Sequence, residues 1–251
     1  MADGWKVVHM KIVITAPFAA QQVEELKGQH EVLFSPQDDS TPLRSEEQLH
    51  SLLAEERAEI FITESDRVTA QVLEGLDDLK LLCVCRTGLN NIDIPACTDH
   101  GVALVNAPGR NAAAVADMVM ALFIDMSRFL FEGEKLLRSG QWDEGIYYRL
   151  RGHELYGNTV ATIGFGAIPK ELAKRISGFG MKMIAYDPYV SAEIMASYGV
   201  EKVTLEEAFS GGDYVTLHLP VTEQTRHMVN RDLLKPVSYT HLRAHETVLD
   251  L

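Results

Sequence analysis

The chain has 251 residues, of which 46% are hydrophobic and 24% are charged, enough apolar material for one large domain or two modest ones. This composition excludes a disordered chain and a collagen-like repeat. The 23 Lys and Arg residues against 36 Asp and Glu give a net charge of -13, which disfavours nucleic acids and anionic membranes as partners, and no basic patch offsets it.

The first hundred residues alternate short β-branched runs with helical patterns. We predict strands at 12–15, 31–34, 60–62, 81–85 and 102–105, and helices at 21–27, 45–56, 68–73 and 94–100. Ser45 and Gln48 form a capping box at the start of the second helix. Because parallel neighbours need a crossover connection, this alternation predicts a parallel α/β domain over residues 9–105.

After residue 105 the pattern changes to one long helix, predicted over 111–137. Its apolar residues recur at a spacing that marks one buried face, at Val115, Met118, Val119, Leu122 and Met126. A polar, aromatic connection over 140–157 follows. We then predict a second strand series at 159–163, 182–186, 201–203 and 213–219, within a domain over residues 106–236.

The most informative stretch joins the strand at 159–163 to a helix through a glycine turn. It fits Gly-x-Gly-x-x-Gly, except that Pro169 stands at the third glycine. Gly164 permits a tight turn, and Gly166 lets the backbone approach a pyrophosphate. The free N–H groups at the start of the helix, at Ala167 and Ile168, would stabilise that anion together with the helix dipole. The alternative is an ordinary turn that uses glycine only for its backbone freedom.

An acidic residue ends the next strand. Asp187 lies 21 residues after Gly166, where a carboxylate would accept hydrogen bonds from the adenosine ribose hydroxyls. The same carboxylate repels a 2′-phosphate, and Pro188 and Tyr189 offer no arginine to neutralise one. The sequence therefore favours NAD over NADP.

The cysteines and the start of the chain bear on its compartment. Cys83, Cys85 and Cys97 form no even-numbered framework and no Cys-x-x-Cys pair, so we expect neither disulfides nor a metal site. The start lacks the basic end and long apolar run of a secretory signal, and no segment approaches the roughly 18 consecutive apolar residues of a membrane helix. These features predict a cytoplasmic protein.

Residues 60–236 resemble the D-isomer-specific 2-hydroxyacid dehydrogenases, most nearly their phosphoglycerate-dehydrogenase-like members. The resemblance rests on ordered segments at 79–82, 86–93, 101–111, 114–117, 154–160, 178–189 and 213–222. It implies a flavodoxin-like substrate domain and an incomplete Rossmann-like NAD-binding domain. It also implies an oxidoreductase that transfers hydride between NAD and a small 2-hydroxy acid, such as 3-phosphoglycerate or a related acid. The resemblance further implies a homodimer, in which the long helix either forms part of the dimer interface or belongs only to the core of its own chain.

The resemblance also assigns roles to two loops. In such enzymes the loop matching 87–89 presents N–H groups to the substrate carboxylate, so the expected substrate-binding residues are Arg86, Thr87 and Gly88, although Arg86 is equally compatible with an ordinary surface residue. The expected cofactor-binding residues beyond the glycine turn are His218, Leu219 and Pro220. We do not expect His218 to be the general base, since the family's catalytic histidine lies later in the chain. Asp117 replaces the family's usual glutamate.

The resemblance places the catalytic arginine, glutamate and histidine beyond Pro236. Arg243, His245 and Glu246 follow, but they are too close together and in the wrong order to converge on one substrate. We therefore predict no catalytic residue in this chain, an inactive fragment, and a non-native tail over 237–251, with a natural C-terminal helix as the alternative. The alternative function is an NAD-sensing, corepressor-like interaction protein without catalysis.

Overall fold

The computed structural model describes residues 9–37 and 42–234. The chain forms two compact units, the first ending at Arg110 and the second beginning at Asn111. The predicted boundary at residue 105 lies near the end of the last strand before this division. The predicted tail over 237–251 lies outside the described residues. No helix in the described ranges is long and apolar enough to cross a membrane, and no group of three His, Cys, Asp or Glu side chains there is placed to hold a metal ion.

The first unit is a parallel five-stranded sheet with helices between successive strands. Its strands are β1 (Lys11–Ile14), β2 (Glu31–Phe34), β3 (Ile60–Thr63), β4 (Leu81–Val84) and β5 (Ala103–Asn106). Its helices are α1 (Ala20–Lys27), α2 (Glu46–Glu55), α3 (Ala70–Leu73) and α4 (Ile94–Asp99). The strand order β2-β1-β3-β4-β5 is that of flavodoxin-like folds, which confirms the predicted fold class for this unit.

The core of the first unit lies on both faces of the sheet. One face packs against α2, α3 and α4 and includes the fully buried Phe61 and Leu82. The other face contains Ile14 and packs against α1, with Cys83 and Cys85 half-buried at its margin. The capping box at the start of α2 is confirmed, because the N–H of Gln48 donates to the hydroxyl of Ser45, and the side-chain amide oxygen of Gln48 accepts from the N–H of Ser45.

The second unit is a parallel four-stranded sheet preceded by three helices. Its elements are α5 (Ala112–Arg128), α6 (Leu130–Arg138), α7 (Glu144–Arg149), β6 (Thr159–Ile163), α8 (Ala167–Gly178), β7 (Lys182–Tyr186), α9 (Ala192–Ala196), β8 (Glu201–Lys202), α10 (Leu205–Gly211), β9 (Tyr214–Leu217) and α11 (Arg231–Leu234). The order β8-β7-β6-β9 matches the first four positions of the six-stranded Rossmann sheet. The predicted Rossmann-like class is therefore confirmed.

The prediction of one helix over 111–137 is wrong. Helix α5 ends at Arg128, and Phe129 adopts a left-handed conformation with φ of 54°. The buried carboxylate of Asp125 accepts the N–H of Phe131 at 2.8 Å and so caps α6, while the carbonyl of Ser127 accepts the N–H of His153 at 3.0 Å. Apolar residues continue across this break, so the hydrophobic pattern carries no sign of it. The predicted connection over 140–157 also contains the short helix α7.

The predicted buried face of α5 is correct in part, since Val119 is buried and Met126 packs against the core, whereas Met118 lies outside it. The residues that pack into the core of the second unit are Ala116, Val119, Met120 and Phe123. Met118 is 61% exposed, and Val115 lies only partly buried at the edge of the core. Because α5 is apolar around most of its circumference, the spacing of a few apolar residues does not define its inward side.

Candidate functional site

The glycine turn lies where β6, β7 and β9 end together. Gly164 has φ of +95°, a conformation that L side chains rarely adopt, and a Cβ there would lie 2.5 Å from the carbonyl oxygen of His218. The N–H of Gly164 donates to the carbonyl of Tyr186 at 2.7 Å, and the N–H of His218 donates to the carbonyl of Ile163 at 2.8 Å. The turn is thus fixed between both neighbouring strands, and only glycine fits at position 164.

Helix α8 begins directly after this turn and presents unpaired N–H groups. Gly166 is its N-cap, no side chain caps the helix, and a Cβ at Gly166 would meet no heavy atom within 4 Å. The N–H groups of Ala167 and Ile168 lie in the first turn, where no carbonyl of the helix can accept them. Pro169 is buried in the same turn and has no N–H to leave unpaired. The open space and these donors fit a bound phosphate group.

Asp187 fastens the turn from the end of β7. One carboxylate oxygen accepts the N–H of Phe165 at 2.8 Å, and the other accepts the N–H groups of Tyr189 at 2.8 Å and Val190 at 3.2 Å. The Phe165 ring is fully buried and meets Tyr198 edge to face. A carboxylate oxygen can accept more than one hydrogen bond, so Asp187 retains acceptor capacity toward a ribose hydroxyl.

A cleft of about 510 Å³ opens beside Asp187 and is lined by residues at the ends of β7 and β8, including Pro188, Lys202 and Val203. The ammonium of Lys202 donates to the carbonyl of Val190 at 2.6 Å. Sequence reasoning missed Lys202, because it considered only the residues that follow Asp187 in the chain. The pairing of Ala185 with Lys202 across β7 and β8 brings it there.

His218 lies at the end of β9 against the glycine turn. Its Nε2 is 3.0 Å from the hydroxyl of Thr216, and burial lowers the pKa of the imidazole to about 4. The ring is therefore neutral near pH 7 and weakly basic, which suits a lining role better than that of a general base. The half-buried Leu219 packs against the sheet, and Pro220 follows it at the surface.

The loop after β4 holds the predicted substrate-binding residues of the first unit, Arg86, Thr87 and Gly88, and all three are exposed. The start of the β5–α5 connection fixes this loop. The amide of Asn106 donates to the carbonyl of Thr87 at 2.8 Å, and the N–H of Ala107 donates to the carbonyl of Arg86 at 3.1 Å. No side chain in the described ranges pairs with the Arg86 guanidinium, so it is available to an anion.

Arg110 and Glu64 also border this loop, and sequence reasoning missed both. The guanidinium of Arg110 pairs with Glu64 at 2.9 Å and donates to the carbonyl of Cys85. Burial raises the pKa of the Cys85 thiol, so it stays protonated near neutral pH and is a poor nucleophile. The glycine of the loop at 86–88 is visible in the sequence, but an ion pair that joins residues far apart in the chain leaves no local pattern.

A buried carboxylate joins the ends of β1 and β3, where the strand order of the first unit reverses. Asp66 is 2% exposed and accepts the hydroxyls of Thr15 at 2.5 Å and Thr63 at 2.6 Å. The side-chain amide of Gln37 donates to its other oxygen at 3.2 Å. Because its partners are protein groups on several segments, Asp66 acts as a brace for the carboxyl edge of this sheet.

Helices α5 and α8 are joined by an ion pair at the surface. Asp117 accepts the Nε–H of Arg175 at 2.5 Å, and Arg175 also pairs with Glu171 of its own helix at 3.1 Å. Hydrogen bonds to these two carboxylates raise the pKa of Arg175, with Asp117 the larger contribution. The shorter acid at position 117 therefore still reaches α8.

Comparison with known proteins agrees with this geometry. Residues 120–241 match the family model described as D-isomer specific 2-hydroxyacid dehydrogenase, NAD binding domain. The chain is 35% identical to D-3-phosphoglycerate dehydrogenase of Methanocaldococcus jannaschii over 89% of this chain and 41% of that protein. It is 34% identical to YoaD of Bacillus subtilis, which is named as a 2-hydroxyacid dehydrogenase, over 90% of this chain and 67% of that protein.

A solved structure gives the same result. NAD-bound 3-phosphoglycerate dehydrogenase of Entamoeba histolytica superposes with a TM-score of 0.71 at 26% identity, over 92% of this chain and 70% of that chain. The chain thus spans less than half the length of the first relative and about two thirds of the other two proteins. It belongs to the D-isomer-specific 2-hydroxyacid dehydrogenase family and carries that family's binding domain for the cofactor NAD.

Proposed function

We propose that this chain is the substrate unit and part of the cofactor unit of an NAD-dependent dehydrogenase that acts on a small 2-hydroxy acid. The observation that carries the proposal is the glycine turn at the end of β6, with open space at Gly166 and the Asp187 carboxylate beside it. NAD held there would supply a hydride acceptor for C2 of the hydroxy acid, and the hydroxyl proton would pass to a separate base.

The residues of the second unit hold the dinucleotide. The N–H groups of Gly166, Ala167 and Ile168 donate to the pyrophosphate, and Asp187 accepts hydrogen bonds from the ribose hydroxyls. The segment of His218, Leu219 and Pro220 borders the cofactor on the other side of the turn. Neutral His218 adds no charge there, so the helix terminus carries the electrostatic attraction.

The first unit binds the substrate carboxylate. The backbone N–H groups of Thr87 and Gly88 and the guanidinium of Arg86 are the donors. Their loop is already fixed by Asn106 and Ala107, so binding costs little ordering of the chain. The acid is 3-phosphoglycerate or a related 2-hydroxy acid.

We propose further that this chain does not itself turn over substrate. The support is the resemblance, which requires a separate arginine, glutamate and histidine, and the tight, reordered spacing of Arg243, His245 and Glu246. NADH mixed with the chain and with 3-phosphohydroxypyruvate, glyoxylate, pyruvate or hydroxypyruvate should keep its absorbance at 340 nm. A steady loss of absorbance that scales with protein concentration refutes this part of the proposal.

Fluorescence titration with NADH tests the binding function. We expect saturable binding that NAD displaces at a concentration at least about tenfold lower than NADP, which corresponds to 1.4 kcal/mol. Gly166→Val fills the open space at the start of α8 and should abolish binding. Gly178→Val, at the opposite end of the same helix, also places its Cβ in open space and serves as the control. Wild-type protein that shows no saturable signal up to millimolar NADH overturns the proposal.

We propose that the parent protein is a homodimer that pairs through the α6–α7 segment. None of the residues of α6 or α7 is buried. Large apolar side chains of this segment are more than half exposed, namely Leu130, Phe131, Leu137, Trp142, Tyr147 and Tyr148. Several large, exposed apolar side chains on one segment are typical of an interface.

Light scattering coupled to size exclusion tests the dimer. Phe131→Glu should convert a dimer to a monomer, while Leu43→Glu, at an exposed leucine of the first unit, should leave it paired. A monomer for the wild-type chain at tens of micromolar contradicts the proposal.

We also place the protein in the cytoplasm. Its cysteines Cys83, Cys85 and Cys97 are all free thiols, and burial raises the pKa of each. Thiols of this kind persist in a reducing compartment. Fractionation that finds the native protein outside the cytoplasm contradicts this assignment.

A further inference from the structure

Two side chains of opposite charge contact the same residue at the edge of the ribose site. The carboxylate of Asp187 accepts the N–H of Val190 at 3.2 Å, and the ammonium of Lys202 donates to the carbonyl of Val190 at 2.6 Å. Both side chains line the cleft of about 510 Å³ beside β7 and β8. They form no direct ion pair with each other, so each charge remains accessible to a ligand in that cleft.

The strand register places both charges on one side of the sheet. Lys202 pairs with Ala185 of β7, and registered residues of parallel strands point to the same face. Asp187 lies two residues beyond Ala185 and therefore leaves the strand toward that face as well. The ammonium is carried on a four-carbon stem that rotates freely, so it can follow an anion placed near the carboxylate.

We propose that Lys202 is a counter-charge for a ribose 2′-phosphate, whose binding the carboxylate of Asp187 opposes. This inference rests on the proposed NAD-binding function. A carboxylate that accepts a hydrogen bond from the 2′-hydroxyl lies within about 3 Å of it, so a phosphate there would meet a like charge at contact distance. Without that carboxylate, Lys202 is the cation among the described residues that line this cleft.

Glu193, Glu206 and Glu207 are other acidic groups near Lys202, and none of them forms an ion pair with it. Glu193 has a lowered pKa, mainly because the hydroxyl of Ser191 hydrogen-bonds to it, and Lys202 contributes least to that shift. Glu207 lines the cleft, but its carboxylate accepts the N–H of Thr204 at 2.8 Å as part of the α10 cap. Neither forms an ion pair with Lys202, so the ammonium can leave the Val190 carbonyl for a phosphate.

The test measures dissociation constants for NADH and NADPH by fluorescence in four proteins. Asp187→Ser should shift the ratio of the two constants toward NADPH by at least about tenfold. The double variant with Lys202→Met should lose most of that shift. The matched double variant with Lys182→Met, at the opposite end of β7, should keep it. The ratio cancels any general weakening that follows from lost hydrogen bonds to the glycine turn.

Salt provides a second readout. The shift should shrink when the ionic strength rises from about 0.05 M to about 0.5 M, because an exposed ammonium and phosphate are screened. The inference is overturned if the Lys202→Met double variant keeps the full shift, or if Asp187→Ser binds NADH without any gain for NADPH. Both results leave the proposed NAD binding intact, whereas wild-type protein that binds neither dinucleotide refutes that proposal as well.

Discussion

An alanine substitution should have different effects at two neighbouring glycines. At Gly164 it should reduce the stability of the fold, and at Gly166 it should reduce NADH binding. Gly164→Ala places a Cβ 2.5 Å from the carbonyl oxygen of His218 and 3.0 Å from its carbonyl carbon. Both atoms are backbone, so no side chain can rotate away to relieve the contact. Gly166→Ala places its Cβ in open space and at a negative φ of -84°.

The magnitudes follow from these geometries. A positive φ costs an alanine about 1–2 kcal/mol. Relief of the clash moves β9 away from β6 and weakens the hydrogen bond from His218 to Ile163, a loss of about 1 kcal/mol or more. Gly164→Ala should therefore reduce the free energy of unfolding by about 3 kcal/mol. For Gly166→Ala, a poorer N-cap and a less flexible unfolded chain nearly cancel, within about 1 kcal/mol.

Thermal unfolding followed by circular dichroism and NADH titration separate the two effects. We expect Gly164→Ala to lower the Tm of the second unit by about 10 °C. Gly166→Ala should keep the Tm but weaken NADH binding by at least about tenfold, because the methyl group occupies the space that a pyrophosphate needs. Equal Tm values for Gly164→Ala and wild type, or undiminished NADH binding by Gly166→Ala, would refute this reasoning.

Three further predictions concern buried polar groups. The pKa of His218 is about 4 in the folded state and near 6.5 in the unfolded state. Between these pH values only the unfolded state binds a proton at this side chain, so the free energy of unfolding should fall by up to about 3 kcal/mol as the pH drops from 6.5 to 4. Urea titrations should show this slope, and His218→Gln should flatten it; an unchanged slope would exclude His218 as its source. Asp125→Ala leaves the N–H of Phe131 without its acceptor and should cost about 1–3 kcal/mol, whereas Asp125→Asn should cost less; equal losses would contradict the capping role. Asp66→Ala removes the acceptor of two buried hydroxyls and should destabilise the first unit by about 2–4 kcal/mol, measured by hydrogen exchange, and unchanged protection of β1 and β3 would disprove the brace.

The strands were the most predictable part of this fold, because short β-branched runs bounded by turn residues form them from local information alone. The bounds predicted for β6 and β7 agree with the structure. The break between α5 and α6 was not predictable, since it depends on the side chain of Asp125 and on a distant loop. At Gly152 a Cβ would collide with the carbonyl of Ser127, a contact between segments that no periodicity reveals.

The same distinction applies to the candidate site. Gly164, Gly166 and Asp187 stand at family-typical spacings along the chain, so the sequence alone indicates them. Lys202 reaches the segment after β7 and Arg110 reaches the end of β4, through long side chains whose direction depends on the tertiary structure. Sequence spacing predicts backbone donors well and predicts long, charged side chains poorly, because only the former are set by the local turn.

In both units a side chain from a neighbouring strand end holds the loop that is a candidate for anion binding. A loop that offers its N–H groups to an anion cannot use those groups to fix its own shape, so other contacts must hold it. In the first unit the amide of Asn106 holds the carbonyl of Thr87, and in the second the carboxylate of Asp187 holds the N–H of Phe165. In each case the anchoring side chain comes from the end of the strand beside the loop. These two hydrogen bonds therefore order the loops in the absence of a ligand, so a ligand that binds there pays little for ordering the chain.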